Sequence, residues 1–284
     1  MAIGPTPGKE QLGQLVREIM KREGKEDVTS LTKTARVSRD TVYNLLSGNN
    51  KPRWNNFMAI LTAVDATQDE VQSLIKVWEV ADDERVPVEY ASELSPQYLR
   101  FRRWESEASE EKTVDTFYVP GIFQTADYAE AMAASSPGLI VRQSWKDIAA
   151  AERRERQELL RLDEPLRVDS LIDEAAVRRV VGGPAVMKDQ LARLLEVGAL
   201  PNVCIRILPL SGGAYGIHTG TVVLLKPRDV MRPVEGWIDS GEALAVLKPE
   251  RVQAYSAAWD AAVKVALSAE ESVEMIREIR RNLQ

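Results

Sequence analysis

The sequence predicts a mainly α-helical protein with an α+β part, in which a compact N-terminal domain of five helices precedes a larger α+β domain. Two observations favour this class. Apolar residues recur at helical spacing over about the first 80 residues, and β-type apolar runs alternate with helical segments from residue 94 onward. The charged stretch at residues 81–93 contains a proline, lacks periodicity and predicts a linker. We therefore expect domains at residues 1–80 and 94–284.

Polar caps and apolar stripes predict the five N-terminal helices. The expected helices cover residues 10–23, about 29–35, 39–46, 55–64 and a segment that opens at Thr67. Thr29 or Ser30 is expected to cap the second helix. Ser38 and Thr67 are expected to cap the third and the fifth, because short polar side chains accept hydrogen bonds from free backbone N–H groups. These short helices with tight turns indicate a compact helical domain.

The larger C-terminal part mixes strand-like and helix-like segments. Four apolar runs are typical of strands: "LRVDSLI", "VCIRILPL", "TGTVVLL" and "PVEGWI". The segment "TVDTFYVPGIF" is expected to be extended and to end at Pro120. Helices are expected over "SPQYLRFRRWESEAS", "TADYAEAMAAS", "SWKDIAAAERRERQELLRL" and residues 184–196, 249–266 and 269–282. This alternation indicates an α/β or α+β architecture.

The distribution of charge is more informative than the net charge of −6. Residues 31–56 contain five basic residues and a single acid, which gives this segment a net charge of +4. The basic residues are Lys33, Arg36, Arg39, Lys51 and Arg53, and the acid is Asp40. A basic patch on an otherwise acidic chain calls for a local explanation.

Composition favours a soluble, cytoplasmic protein without a membrane segment. The first ten residues lack the charged start and the apolar stretch of a signal peptide, and the apolar runs are too short to span a bilayer. Cys204 is the one cysteine, so no internal disulfide forms, and a reducing compartment fits.

A helix-turn-helix pattern coincides with the basic patch. In this motif a short helix and a tight turn present a second helix, whose polar first residues reach base edges in the DNA major groove. Val42 and Leu45 are expected to anchor that second helix in the core. The outer side then carries the base-reading candidates Arg39, Asp40, Thr41 and Asn44. Arginine can read guanine and asparagine can read adenine through paired hydrogen bonds.

The stretch "LTKTARVSRDTVYNLLSGNNKP" resembles the Cro and phage-repressor type of helix-turn-helix, called XRE-like, in which a Val-Ser turn leads into the recognition helix. The resemblance implies binding of double-stranded DNA, with base reading at Arg39, Asp40 and Asn44. It also implies phosphate contacts at Thr29, Ser38, Ser47, Asn49, Lys51 and Arg53.

Three positions depart from that family's pattern. Thr32 stands where a small residue is usual, and Leu46 stands where an acid is usual near the end of the recognition helix. Arg36 stands at the turn position that glycine usually holds, where a positive φ strains a residue with a Cβ. A protein-binding module whose charges are simply solvated therefore remains an alternative.

Four segments of the C-terminal part are similar to the C-terminal domain of actinobacterial Cro-type regulators: "YVPGIFQTADYA", "RRERQELL", "LIDEAAVRRVVGGPAVMKDQLARLLE" and "VCIRILPLSGGAYGIHTG". Those regulators are often described as toxin–antitoxin-like antitoxins and are commonly paired with a small acidic or neutral protein. The resemblance implies a DNA-bound transcriptional regulator whose C-terminal domain either assembles subunits, as in a homodimer, or receives a partner, such as a small protein encoded nearby. An antitoxin-like module that sequesters such a partner with little DNA binding is the alternative.

The residues give little support to an enzyme, and we expect no catalytic residues, cofactor or metal. His218 is the single histidine, and no G-x-S-x-G nucleophile elbow occurs. Cys204 lies in an apolar run and is expected to be a buried small hydrophobe. The acids of residues 169–174 fit strand alternation and a helix start, and residues 182–184 fit a turn with proline at the first helical position. An enzyme that reuses this architecture remains an alternative.

Two features suit contact with another protein. Aromatic residues in the first part of the C-terminal domain either line a partner groove or belong to the core: Trp104, Phe117, Tyr118, Phe123 and Tyr128. The last helix carries an apolar stripe that packs either on its own domain or on a second subunit: Val273, Ile276, Ile279 and Leu283. A dimer suits a reader of two half-sites one DNA turn apart.

Overall fold

The computed structural model describes residues 4–135, 143–217, 219–230, 232–240 and 244–283. The chain is mixed α/β and divides into two compact units. The first unit contains residues 4–88 and Leu99–Glu107, and the second contains Glu89–Tyr98 and residues 108–283. Within the described residues no helix is both long enough and apolar enough to cross a membrane.

Five helices in the first unit lie within a few residues of their predicted positions. They are α1 (Pro7–Arg22), α2 (Val28–Ala35), α3 (Arg39–Leu46), α4 (Trp54–Ala63) and α5 (Gln68–Val80). Ser38 and Thr67 cap α3 and α5, as predicted. The cap predicted for α2 was wrong, because the carboxylate of Asp27 accepts the backbone N–H groups of Thr29 and Ser30 at 2.9 and 3.1 Å. A carboxylate at this end also complements the helix dipole.

α1 crosses closely over the end of α3. A Cβ on Gly13 would overlap the carbonyl oxygens of Leu45 and Leu46, so only glycine permits this approach. Gly48, at φ 71°, also lies close to Glu10, since a Cβ there would come within 2.8 Å of the Glu10 Cα atom. Gly13 in α1 and Gly48 just after α3 thus allow α1 to lie against the end of α3 and fix its position.

Residues 81–107 do not form a simple spacer, and their contacts explain why the first unit extends beyond the predicted boundaries. The hydroxyl of Thr6 donates to the carbonyl of Ala81. In α6 (Pro96–Ser106), Arg100 and Trp104 both donate to the carboxylate of Glu10, the latter over 2.9 Å. These contacts join α6 to α1 across about 90 residues of sequence, which periodicity alone does not predict.

One mixed six-stranded sheet forms the centre of the second unit, as far as the described residues show it. Its strands are β1 (Ala108–Asp115), β2 (Arg167–Asp173), β3 (Val203–Leu208), β4 (Thr221–Pro227), β5 (Glu235–Asp239) and β6 (Leu244–Val246). Their order is β3-β2-β1-β4-β5-β6, with β1, β2 and β3 parallel and the remaining pairs antiparallel. The helices are α7 (Ala126–Ser135), α8 (Gln143–Gln157), α9 (Glu174–Arg178), α10 (Pro184–Val197), α11 (Pro249–Val263) and α12 (Ala269–Asn282).

β2 to β5 agree with the predicted strands, whereas β1 and β6 do not. β1 covers the polar sequence "ASEEKTVD" and ends at Asp115, before most of the segment predicted to be extended. β1 lies between β2 and β4, and its backbone N–H and C=O groups form hydrogen bonds with both neighbouring strands. Tertiary pairing rather than an apolar pattern therefore specifies this strand. β6 has three residues and gave no signal in the sequence.

The apolar stripe of α12 packs within its own unit. Ile276 and Ile279 are buried, and the hydroxyl of Ser272 accepts the backbone N–H of Ile207 at 2.9 Å. That hydrogen bond satisfies a donor on β3, which is an edge strand. Of the two interpretations of this stripe, packing on its own domain is therefore the one the structure supports.

Asp115 is a buried acid at the end of β1. Its side chain is 3% exposed and accepts hydrogen bonds from the hydroxyls of Thr113 and Thr221, the latter over 2.8 Å. Burial raises the pKa of Asp115 to about 6, although both hydroxyls and the positive charge of Arg156 act in the opposite direction. A neutral carboxylic acid is therefore favoured here under mildly acidic conditions.

We expect Gly13→Ala to lower the free energy of unfolding of the first unit by about 2–4 kcal/mol, because the added methyl group forces α1 away from α3. Urea unfolding of the full chain, followed by tryptophan fluorescence, measures the change. Gln14→Ala, at an exposed neighbour in the same helix, is the control and is expected to stay within about 0.5 kcal/mol of the wild type. Equal stability of the two variants would contradict the close approach.

We expect Asp115→Asn to remove a pH dependence of stability. The folded-state pKa of Asp115 lies above its ordinary value of 3.8, so its contribution is present at low pH and is lost as the pH rises through about 6. Between about pH 4 and pH 7, the variant should gain about 2 kcal/mol in unfolding free energy relative to the wild type. Urea unfolding at a series of pH values tests this, and a difference that does not vary with pH would refute it.

Candidate nucleic-acid interface

The connection between α2 and α3 is a three-residue turn at residues 36–38. Arg36 adopts the left-handed conformation, with φ 54° and ψ 41°, as its place in the sequence pattern led us to expect. Its backbone N–H and that of Val37 both donate to the carbonyl of Thr32, the latter over 3.2 Å. The end of α2 is therefore closed by backbone hydrogen bonds, and the chain reverses direction before α3 begins.

The start of α3 is held by its own polar side chains. The hydroxyl of Ser38 accepts the backbone N–H of Thr41 at 3.1 Å and lies 2.8 Å from the hydroxyl of Thr41. Val42 and Leu45 are buried on the opposite side, as predicted. This combination fixes which side of α3 faces solvent.

The solvent side of α3 carries the four predicted base-reading residues. Arg39 and Asp40 are exposed, whereas Thr41 and Asn44 are half-buried. The guanidinium of Arg39 lies over the ring of Tyr43, 5.3 Å from its centroid, and donates to the Tyr43 hydroxyl at 3.2 Å. Tyr43 is 47% exposed and did not appear among the sequence candidates, although its spacing of four residues from Arg39 was a usable signal.

Most of the predicted phosphate-binding residues lie on the surface. Thr29, Ser47, Asn49 and Arg53 are exposed, as is Ser38 at the start of α3. Arg53 immediately precedes α4, and its side chain does not cap that helix. The Asp27 carboxylate beside Thr29 opposes an anion at that end of α2, because it already accepts the free backbone N–H groups there.

Lys51 differs from the other predicted phosphate ligands because its charge is already engaged within the first unit. Its ammonium lies 3.1 Å from a carboxylate oxygen of Asp82, donates to the carbonyl of Trp78 at 3.1 Å, and lies 4.4 Å from the Trp78 ring centroid. Burial alone raises the pKa of Asp82, but hydrogen bonds from Lys9 and Lys51 outweigh burial and hold this pKa below its usual range. Lys51 therefore acts in this structure as a structural cation.

The remaining basic residues of the patch are available to an external anion. Lys33, Arg36, Arg39 and Arg53 are exposed, and within the described part of the chain none of them forms an ion pair with a carboxylate. Asp40 is the one acid in the same segment. Exposed cations without carboxylate partners, close in sequence to a polar helix face, are one feature of nucleic-acid-binding proteins.

The acids of the second unit that the sequence singled out have structural partners. Asp169 pairs with Arg206 at 2.6 Å, and Glu174 pairs with Arg178 at 2.6 Å. Asp173 caps α9 through the backbone N–H of Ala175 at 2.8 Å. Their positions are thus explained by strand pairing and by a helix start, as expected.

The other candidates of the second unit are similarly explained. Pro184 takes the first position of α10, as predicted. The prediction that Cys204 is buried was wrong, because the residue is only half-buried on β3, an edge strand, where it pairs with Asp169. Burial and the neighbouring Asp169 raise the pKa of its thiol, which disfavours the reactive thiolate. A cavity of about 80 Å³ beside it is lined mainly by apolar side chains of α10, β3 and α12. His218 lies outside the described residues.

The five aromatic residues of the predicted partner groove divide into two groups. Trp104, Phe123 and Tyr128 are buried and belong to the core of their units. Phe117 and Tyr118 are exposed by 55% and 41%. The guanidinium of Arg179 lies 5.6 Å from the Tyr118 ring centroid and donates to the carbonyl of Phe117 at 3.2 Å. Only this second group remains available for contact with another protein.

We expect Lys51→Met to lower the free energy of unfolding by about 2 kcal/mol, because it removes one of the two ammonium groups that hold the carboxylate of Asp82. Arg53→Met is the matched control, since this exposed cation has no carboxylate partner among the described residues, and should change stability by less than about 0.5 kcal/mol. Urea unfolding of both variants makes the comparison. If the two lose the same stability, Lys51 is not a structural cation.

Comparison with known proteins assigns most of the second unit, together with most of α6, to one family. Residues 98–278 match the model of a family described as a domain of unknown function, DUF5753. α1 to α5 lie outside the matched residues. No curated protein matches the chain, and no solved structure matches it. Because the family model covers more than half of the 284 residues, the chain belongs to the DUF5753 family.

Proposed function

We propose that this protein is a cytoplasmic, sequence-specific DNA-binding transcriptional regulator of the XRE-like type, with α3 as the recognition helix in the major groove. The single observation that carries the proposal is the solvent side of α3. This side is polar, and Arg39 on it and the nearby Arg36 and Arg53 are exposed. None of these cations has a carboxylate partner among the described residues. Its length of eight residues and the tight turn before it suit entry into the groove.

Base reading is assigned to Arg39, Asp40, Thr41 and Asn44. The contact with Tyr43 limits the conformations of the Arg39 side chain, so that less rotamer entropy is lost when it binds guanine. Asn44 suits adenine, and Asp40 suits the amino group of cytosine. The hydroxyl of Thr41 is shared with Ser38, so its methyl group is the part of the side chain that suits a thymine methyl.

Phosphate binding is assigned to the exposed residues that flank α3. These are Ser38, Ser47, Asn49 and Arg53, whereas Thr29 at the start of α2 is left out because the carboxylate of Asp27 beside it opposes an anion. Lys51 is left out of this set because Asp82 and Trp78 hold its ammonium. Phosphate contacts fix the register of the protein on the duplex and supply the salt-dependent part of the affinity.

The second unit is proposed to mediate homodimerisation and to respond to a small partner protein or to an unidentified ligand. Phe117 and Tyr118 support the second role, because exposed aromatic side chains beside an arginine are typical of protein interfaces. A homodimer suits a recognition helix that reads one half-site, since two copies then read a palindromic operator.

A second candidate is an antitoxin-like interaction module with little DNA binding. Asp27 at the start of α2 and the ion pair of Lys51 with Asp82 favour it, because both reduce the positive charge offered to a phosphate backbone. The two candidates differ in the salt dependence of duplex binding. Phosphate contacts require affinity to fall steeply with salt concentration.

We expect Arg39→Ala and Asn44→Ala each to weaken binding to the preferred duplex by about 1–3 kcal/mol, because each removes a paired hydrogen bond to a base. Binding to duplexes of unrelated sequence should change far less. Fluorescence anisotropy with labelled duplexes measures both affinities. Arg277→Ala in α12 is a control that removes one exposed positive charge from the second unit and should leave both unchanged.

The preferred duplex is obtained by capture of fragmented genomic DNA on the purified protein at moderate salt, with the double variant Arg39→Ala/Asn44→Ala in parallel. A palindromic sequence that the wild type enriches and the double variant does not would establish sequence-specific binding. Enrichment by neither protein would overturn the regulator proposal in favour of the interaction module.

A further inference from the structure

Arg36 combines an unfavourable backbone conformation with an exposed charge. Among the described residues, Arg36 and Asp65 are the non-glycine residues with positive φ, at 54° and 56°. Aspartate tolerates this conformation better than most residues, because its short side chain can form local hydrogen bonds. Arginine has no such compensation, so the first unit is strained at the turn before α3.

The surroundings of Arg36 add to this cost. Lys33 lies three residues before it and Arg39 three residues after it, and all three side chains are exposed. In the described part of the chain no carboxylate forms an ion pair with any of them. No carboxylate therefore offsets the positive charge that Arg36 adds to this part of the surface. The isolated protein therefore gains nothing evident from a cation at this position.

The location of Arg36 suggests what offsets the strain. It lies two residues before Ser38, whose side chain caps α3, and its backbone bends the chain so that α3 leaves the turn with its polar end exposed. A recognition helix that enters a groove by this end brings the preceding turn close to the phosphates at the groove edge. A guanidinium suits that place, because its planar N–H groups pair with two phosphate oxygens.

We propose that Arg36 is a phosphodiester ligand: its guanidinium binds the DNA backbone beside the groove that α3 enters, and the strained turn is kept for this contact. This inference rests on the proposed DNA binding. It adds a contact at a position where the helix-turn-helix pattern ordinarily has glycine and therefore no side chain.

The proposal predicts opposite effects of Arg36→Gly on folding and on DNA binding. The folding equilibrium constant should rise about three- to tenfold, because glycine adopts the left-handed conformation without strain. Affinity for duplex DNA should fall about three- to tenfold, and the slope of log affinity against log salt concentration should become shallower by about 1. A merely structural residue would not combine these changes.

Two further variants separate charge from backbone conformation. Arg36→Asn tolerates the left-handed conformation but has no charge, so its affinity and salt slope should match those of Arg36→Gly. Arg36→Lys keeps the charge and should retain the slope of the wild type. The probe is a labelled duplex of arbitrary sequence, about 30 base pairs long, because a backbone contact does not depend on sequence. Urea unfolding measures the folding constant of each variant.

The outcomes are distinguishable. A more stable Arg36→Gly protein with weaker binding and a shallower slope supports the inference. Wild-type binding with an unchanged slope in Arg36→Gly and Arg36→Asn overturns the role of Arg36 and leaves the proposed function standing. A wild-type protein without salt-dependent affinity for any duplex overturns the proposed function, and this inference with it.

Discussion

The close approach of α1 to the end of α3 is the constraint on which the first unit depends. Gly13 permits it, and one turn earlier in α1 the carboxylate of Glu10 accepts hydrogen bonds from Arg100 and Trp104 of α6. A single helix thus carries both the backbone contact that positions the candidate recognition helix and the polar contacts that hold a distant segment. A substitution that displaces α1 is therefore expected to weaken both its contact with α3 and its contacts with α6.

The local features of the fold could be predicted from the sequence, and the distant ones could not. The helices of the first unit and the caps Ser38 and Thr67 follow from spacing and from side-chain chemistry that acts over three or four residues. β1 is polar and is specified by its two neighbouring strands, so no local signal marks it. Residues 99–107 belong to the first unit because their side chains contact residues about 90 positions earlier in the sequence, such as Glu10.

The same limit applies to the candidate site. Lys51 and Arg53 are equivalent in the sequence, as basic residues on either side of Pro52. The fold separates them, because Asp82 lies within 3.1 Å of one ammonium and no carboxylate pairs with the other cation among the described residues. The positive φ of Arg36 could be predicted, since the turn pattern prescribes it. The stacking of Arg39 on Tyr43 required the helix geometry as well as the spacing.

The ion pair between Lys51 and Asp82 has a consequence for the proposed DNA binding. It withdraws one cation from the basic patch, so that one copy of the first unit would offer only its exposed cations, Lys33, Arg36, Arg39 and Arg53, to phosphates. In the proposed homodimer the second copy would bind at the high effective concentration that the first creates, so that the pair would hold DNA more tightly than either copy alone.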